Sequence, residues 1–326
     1  MAGIYEQFLS VGVETTYGTA VGLARSYEGQ SDDWQRDVEY IESQGFREGL
    51  ETTRSDRYEG ISTGATGSTS LDVMNKGMGL ILQHALGASS GPTQVGATIA
   101  YTAAFTTNSA GPSGSYTWQM VRVDSGGTAR PFTYEGCVCT GLDIEMALGA
   151  NLNMTLNWDS ETEQTSSAAP SPTYVASTTP FPYTTASVEI DDSAVTNVTA
   201  MSISLDNGLD TERRFLKGAA TKGQPKRSSV PAYTGSMTAE FASLTDYNSF
   251  VNSSNVKLEL ICTQTTAIVG SSYPYVHITM PAVRFTGSSP VASLDALTSI
   301  EIPFTILDDG TNAAVTIATQ SSDSAF

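Results

Sequence analysis

The sequence predicts a mainly β protein, an antiparallel barrel or sandwich with one short flanking α-helix and long charged loops. Three observations carry this reading. Charged residues make up 15% of the chain, against about 25% in an average globular protein, and Ser, Thr and Gly take their place. β-Branched Thr fits a pleat and Gly supplies bends. Several segments alternate apolar and polar residues with period two, which puts alternate side chains on opposite faces of a strand. Only one segment, 76–86, carries a helical period. With 326 residues, 40% of them hydrophobic, the chain has material for one large domain or two ordinary ones.

In chain order, residues 5–13 read as a first strand and Thr15–Gly22 as a turn. Residues 23–60 are unlike the rest. Arg25, Arg36, Arg47, Arg54 and Arg57 stand among ten acidic residues between Glu28 and Glu59. Apolar positions there are few, so the segment reads as one or two short strands on a long charged loop. A loop of that length inside a compact domain marks a function or ordering by a partner. A Gly-interrupted strand over 61–73 leads into the helix. Asn75 is the expected N-cap. Met74, Met78, Ile81, Leu82 and Ala85 form one apolar face, and Gly87 is the expected stop. His84 is expected at the helix surface or core edge, not as a ligand. Residues 88–114 are rich in Ser, Gly, Pro and Thr, with one short strand near Thr98–Phe105.

From there β signals dominate. Strands are expected at 116–123, 129–134 and 136–148, the last returning through Gly149-Ala150-Asn151 as 152–158. Residues 159–183, with Pro170, Pro172, Pro180 and Pro182, form a polar link. Beyond it come strands at 187–190, 198–205 and 235–241, a helical turn at 247–251, and strands at 256–263, 275–280, 282–285, 299–307 and 313–318. Asn207-Gly208 is a turn signal after the second of these. Residues 319–326 are expected to fray. The chain 1–326 thus reads as one domain with a weak internal repeat, its halves 1–158 and 184–318 joined by the 159–183 link. In that repeat, 138–148 and 151–158 correspond to 198–205 and 235–241.

The formal net charge of −18 argues against a grip on nucleic acid, which needs Lys and Arg facing phosphates. The first ten residues lack the basic start of a secretory signal, and no apolar run approaches the roughly 18 residues of a membrane span. Cys137, Cys139 and Cys262 imply no disulfide framework, which fits synthesis in a reducing cytoplasm. The two histidines, His84 and His277, belong to no zinc motif, and neither a nucleophile elbow nor a phosphate-binding loop is present. No catalytic residue, cofactor or metal set is expected. An acidic β-sandwich binding module, carbohydrate-binding or adhesive, is the rival reading; it would need an exposed aromatic platform.

The segments T-G-S-T-S-L-D-V-M-N-K-G-M-G-L-I-L-Q-H-A-L-G (66–87), F-T-Y-E-G-C-V-C-T-G-L-D-I (132–144), V-T-A-M-S-I-S-L-D-N-G-L (198–209) and V-E-T-T-Y-G-T-A (13–20) occur in this order. Together they resemble the tail tube, or major tail, proteins of long, non-contractile-tailed bacteriophages. The resemblance covers most of the chain. It implies a structural protein without an active site, made in the bacterial cytoplasm and carried in the virion tail. It further implies hexameric rings stacked into a tube for DNA ejection. Partners would be other copies of the chain, the tape measure, the tail terminator and the distal tail protein. DNA would pass without specific binding.

The distribution of charge adds candidate surfaces. Arg213, Arg214, Lys217, Lys222, Lys226 and Arg227 form a basic run with no acidic residue among them. Together with Arg36, Arg47, Arg54 and Arg57 they are the candidates for subunit or ring contacts, where opposite charge fixes register. Reversing Arg213, Arg214 and Arg227 to Glu is expected to impair assembly and leave the fold intact. Asp143, Glu145, Ser202 and Ser204, on the polar faces of two long strands, are the candidates for facing the lumen.

Overall fold

The structure, a computed structural model, describes residues 7–45, 48, 49, 51, 52, 54–240, 255–286 and 299–326. The helical turn expected at 247–251 and the candidate Arg47 lie outside them.

Strand β1 (Phe8–Glu14) buries Leu9 and Val11. The charged segment that follows holds β2 (Arg25–Tyr27), β3 (Gly29–Asp32) and β4 (Gln35–Arg36), then an exposed pair, β5 (Tyr40–Glu42) with β6 (Tyr58–Gly60). Trp34, within this polar stretch, is nevertheless a core residue. It stacks on Tyr134 at 4.4 Å between centroids, and its Nε1 donates to Thr69 Oγ1.

After β7 (Ala65–Asp72) the helix α1 runs from Gly79 to Leu86, one turn shorter than expected. Gly77 sits at φ +85°, outside any right-handed helix. Asn75 is not its cap, because the Asn75 side chain accepts the backbone N–H of Thr179 instead. Gly87, at φ +90°, does end the helix and turns directly into β8 (Gly87–Gln94). A Cβ there would lie 2.0 Å from the Gly111 carbonyl. β8 pairs with β9 (Tyr101–Thr107), so the low-complexity stretch is a hairpin with two strands, not one. His84 corrects the expectation of a surface position. It is fully buried, bonded through Nδ1 to the Ser113 carbonyl at 2.7 Å, and its Nε2 accepts the Cys139 N–H at 3.1 Å. The Cys139 bond leaves Nε2 unprotonated and Nδ1 the donor, and burial pulls the imidazole pKa down to about 3.

β10 (Ser115–Val123) leads into the longest element, β11 (Ala129–Ala147). Gly136, at φ +67°, joins what alternation alone divides into two strands. The early part of β11 pairs with β10 and with β13 (Thr162–Gln164). Its later part pairs with β12 (Asn153–Ser160) and β16 (Val198–Asp206). One strand thereby serves two differently directed portions of a continuous antiparallel sheet, which folds over itself in a sandwich-like way. Trp118, Trp158, Tyr134 and His84 fill the space between.

β14 (Ala186–Ile190) and β15 (Ser193–Val195) precede β16; β17 (Leu209–Asp210) and β18 (Lys226–Arg227) follow as a small separate pair. β19 (Ala232–Glu240), β20 (Val256–Thr263), β21 (Tyr275–Phe285), β22 (Ser299–Ile306) and β23 (Thr316–Ser321) complete the order. The large sheet is continuous across the Pro-rich segment, where Phe181 is fully buried. The C-terminus does not fray: β23 reaches Ser321, Asp323 accepts the Gly77 N–H, and the Phe326 ring lies 5.0 Å from that of Phe105.

Candidate interaction surfaces

Eight strands lie side by side in the order β3–β7–β12–β11–β16–β19–β22–β21. One row across them reads Ser31, Ser70, Thr155, Asp143, Ser204, Thr234, Thr305, Arg284. The row two residues along reads Asp72, Asn153, Glu145, Ser202, Ser236, Pro303. Period two places these rows on one face, while Leu142, Ile144, Ile203 and Leu205 on the opposite face are buried. All four lumen candidates therefore share a single polar face. From β7 to β22, taking β11 from Val138 onward, the six central strands contain no Lys or Arg. Asp72, Asp143, Glu145, Asp206, Glu240 and Glu301 are on them, together with the buried Asp159.

The polar side chains of this face bond laterally to one another. Asp143 accepts from Asn157 Nδ2 at 3.0 Å and from Ser204 Oγ at 2.5 Å. Ser70 donates to Asn153, Asn153 to Gln30, and Gln30 to Asp72. Ser202 and Ser236 share a bond at 3.0 Å. These donors are used within the layer. What remains towards solvent is acceptor-rich and negative, a surface that repels phosphate.

At one end of this face the segment after β17 folds over the sheet. Lys222 drops onto Asp159, and both are almost completely buried. Burial outweighs the ammonium and pushes the Asp159 pKa up to about 6. Arg214 donates to the carbonyls of Ile61 and Ala220 and to Ser62 Oγ, and lies 3.4 Å from Glu39 and Glu212. Arg213 donates to the Gln224 carbonyl, and Arg227 to those of Asn207, Asn108 and Ser109. Four of the six basic candidates are thus engaged within their own chain. Reversing Arg213, Arg214 and Arg227 would break this anchoring, so the expectation that the fold would be left intact does not hold. Lys217 and Lys226 remain exposed. In the other charged segment, Arg36 is exposed on β4, Arg54 pairs with Asp56, and Arg57 reaches Ser43.

Sequence reasoning missed the apolar content of these excursions. Val38, Tyr40, Ile41 and Tyr58 project from the β5–β6 arm, Phe215 and Leu216 lie within the basic run and Val230 just after it, all exposed. Large exposed apolar groups clustered on projecting segments mark association surfaces. The β-branched and aromatic residues at 38–41 were the available signal, hidden by the surrounding charge.

Burial pushes the Cys139 and Cys262 thiols up to about 12. The acidic trio Glu189, Asp192 and Glu259 already holds a cation, with Lys257 Nζ 2.7 Å from both Asp192 and Glu259. No described helix is long and apolar enough to cross a membrane. A family model described as phage tail tube protein matches residues 5–320. No curated protein matches the chain.

Proposed function

The chain belongs to the phage tail tube protein family, and from that premise we propose that its copies assemble into stacked rings, forming the tail tube through which genome DNA is ejected. The observation that carries this reading is the polar face of the eight adjacent strands, whose six central members hold seven carboxylates, Asp159 among them, and no Lys or Arg. Lining a bore, such a face lets DNA slide, because no Lys or Arg is available there to displace counterions from phosphates. In this reading Asp143, Glu145, Ser202 and Ser204 face the lumen. The excursions at 37–61 and 207–228 point to neighbouring copies, with their exposed apolar groups supplying the contact and their charges its register.

The resemblance implies hexameric rings. Its partners in the tail are the tail terminator, the distal tail protein and the tape measure, as the resemblance implies, and the assembled protein resides in the virion tail after synthesis in the host cytoplasm. The role is structural and involves no catalytic step. Negative-stain electron microscopy of the concentrated protein tests it. Stacked rings or tubes with a central bore are expected. Persistent monomers that bind glycans would favour a carbohydrate-binding module instead.

A further inference from the structure

We infer that the chain is a tandem duplication of one four-strand unit, and that the free edge of unit one receives unit two of a second copy of this chain. This deepens the tube reading and rests on it for the existence of an assembly.

The duplication is visible in strand order. Unit one is β3 and β4, then β7, β12 and β11; unit two is β16, β19, β22 and β21, all antiparallel. The row Gly67–Trp158–Cys139 in the first matches Gly235–Phe304–Phe285 in the second. Thr-Gly-Ser occurs at both glycines, 66–68 and 234–236, and Thr-Gly follows both Cys139 and Phe285. The strands flanking β11 and β21 both slip register at the matching place, where Tyr116 faces Cys137 and Val256 faces Val283. The N–H of Asp37 bonds the Gly64 carbonyl just as Asp206 pairs with Ala232. Finally, each unit sends out a small two-strand arm next, β5–β6 in one and β17–β18 in the other. This correspondence differs from the one expected from alternation, which matched 138–158 with 198–241.

Within the chain, unit two docks on unit one through β11–β16, and that junction is a template for the next one. There the Asn207 N–H bonds the Thr140 carbonyl at 2.9 Å, and Asn207 is buried. The matching residues are Val38 and Thr286. Both are exposed, Val38 by 60% although it is apolar. Likewise the unit-two arm covers Ser62, which is 9% exposed, whereas the matching Val230 is 89% exposed. Val38 and Val230 are thus apolar where their covered counterparts Asn207 and Ser62 are polar, and the unit-one arm that would cover Val230 carries Tyr40, Ile41 and Tyr58. Among the described residues, β3 and β4 have β7 as their only strand partner. The contact is heterologous, so repeated application generates a ring where its rotation closes, and never a closed pair. Each chain supplies two units, and a ring of six units needs three chains.

The test joins Val38 of one copy to Thr286 of the next. Val38→Cys and Thr286→Cys proteins, mixed in equal amounts and treated with a short bismaleimide, should give a cross-linked dimer in the assembled fraction. Neither variant alone should, and monomeric protein should not. The native thiols are all buried and do not compete. The double variant should yield a ladder ending at three chains; a ladder ending at six would overturn the two-unit account. In wild-type protein, amide exchange over residues 37–42 should slow about tenfold or more on assembly. Assembled protein that reacts with a monofunctional maleimide at both sites yet forms no cross-link, with unchanged exchange at 37–42, overturns the pairing. Absence of any assembled species overturns the tube reading itself.

Discussion

The arm at 37–61 and the loop at 207–228 leave the sheet from matching strands, yet one is bare and the other is clamped. The loop is pinned at several points: Lys222 on Asp159, Arg214 on the base of the arm, and Arg227 on three carbonyls. The arm exposes Val38, Tyr40, Ile41 and Tyr58. Two excursions from similar strands thus separate into an internal fastener and an unsatisfied surface. Position along the chain accounts for the difference, because the loop has a preceding unit to rest on and the arm has none within its own chain.

Unpinning the loop should have the largest effect on stability. Lys222→Ala leaves a buried carboxylate without its cation and should cost about 3–5 kcal/mol in denaturant unfolding. It should also make 211–227 accessible to protease. Asp159→Asn combined with Lys222→Met should restore most of the loss, since neither partner then buries a lone charge. A stable, protease-resistant Lys222→Ala protein would show that the loop is held elsewhere.

The clamp also carries a pH signature. The folded Asp159 pKa, about 6, lies above the unfolded value of about 3.9. The folded state therefore binds this proton more tightly. The group's contribution to stability is fully present below about pH 4 and is lost as pH rises through about 6, by roughly 1.4 kcal/mol per unit at most. The stability difference between wild type and Asp159→Asn should show this slope between pH 4 and 6, with little change from 7 to 8. His84, depressed to about 3, slopes the other way in both proteins and cancels in the difference. A flat difference would remove Asp159 from the account.

Most of the strands were legible from period-two alternation, because one face of each is buried. The exceptions follow physical causes. β8 has almost no apolar side chains and is held by its backbone ladder to β9. Residues 74–78 have the helical apolar pattern, but Gly77 takes a left-handed conformation that alternation and periodicity do not register. That Asp143, Glu145, Ser202 and Ser204 share one polar face was legible because it needs only a strand and its parity. The basic run was misjudged because sequence shows charge and not its partners. Arg213, Arg214 and Arg227 spend their donors largely on backbone carbonyls, which no composition records.

Smaller effects should follow at the arm's counterpart and then at the arm. Arg227→Ala removes bonds from a partly exposed guanidinium to three carbonyls and should lower stability by about 1–2 kcal/mol. Ile41→Asp should change monomer stability by no more than about 0.5 kcal/mol, as exposed substitutions do. It should nevertheless abolish ring or tube formation in sedimentation. Normal assembly of this variant would mean that the exposed arm is not a contact surface.

The central claim is that this sheet face, whose six central strands carry no Lys or Arg, lines the bore. Ser204→Cys, carrying a small gold cluster and diluted with wild-type protein into assembled tubes, tests it by electron microscopy. The account predicts gold density along the tube axis. Gold on the outer wall would contradict it.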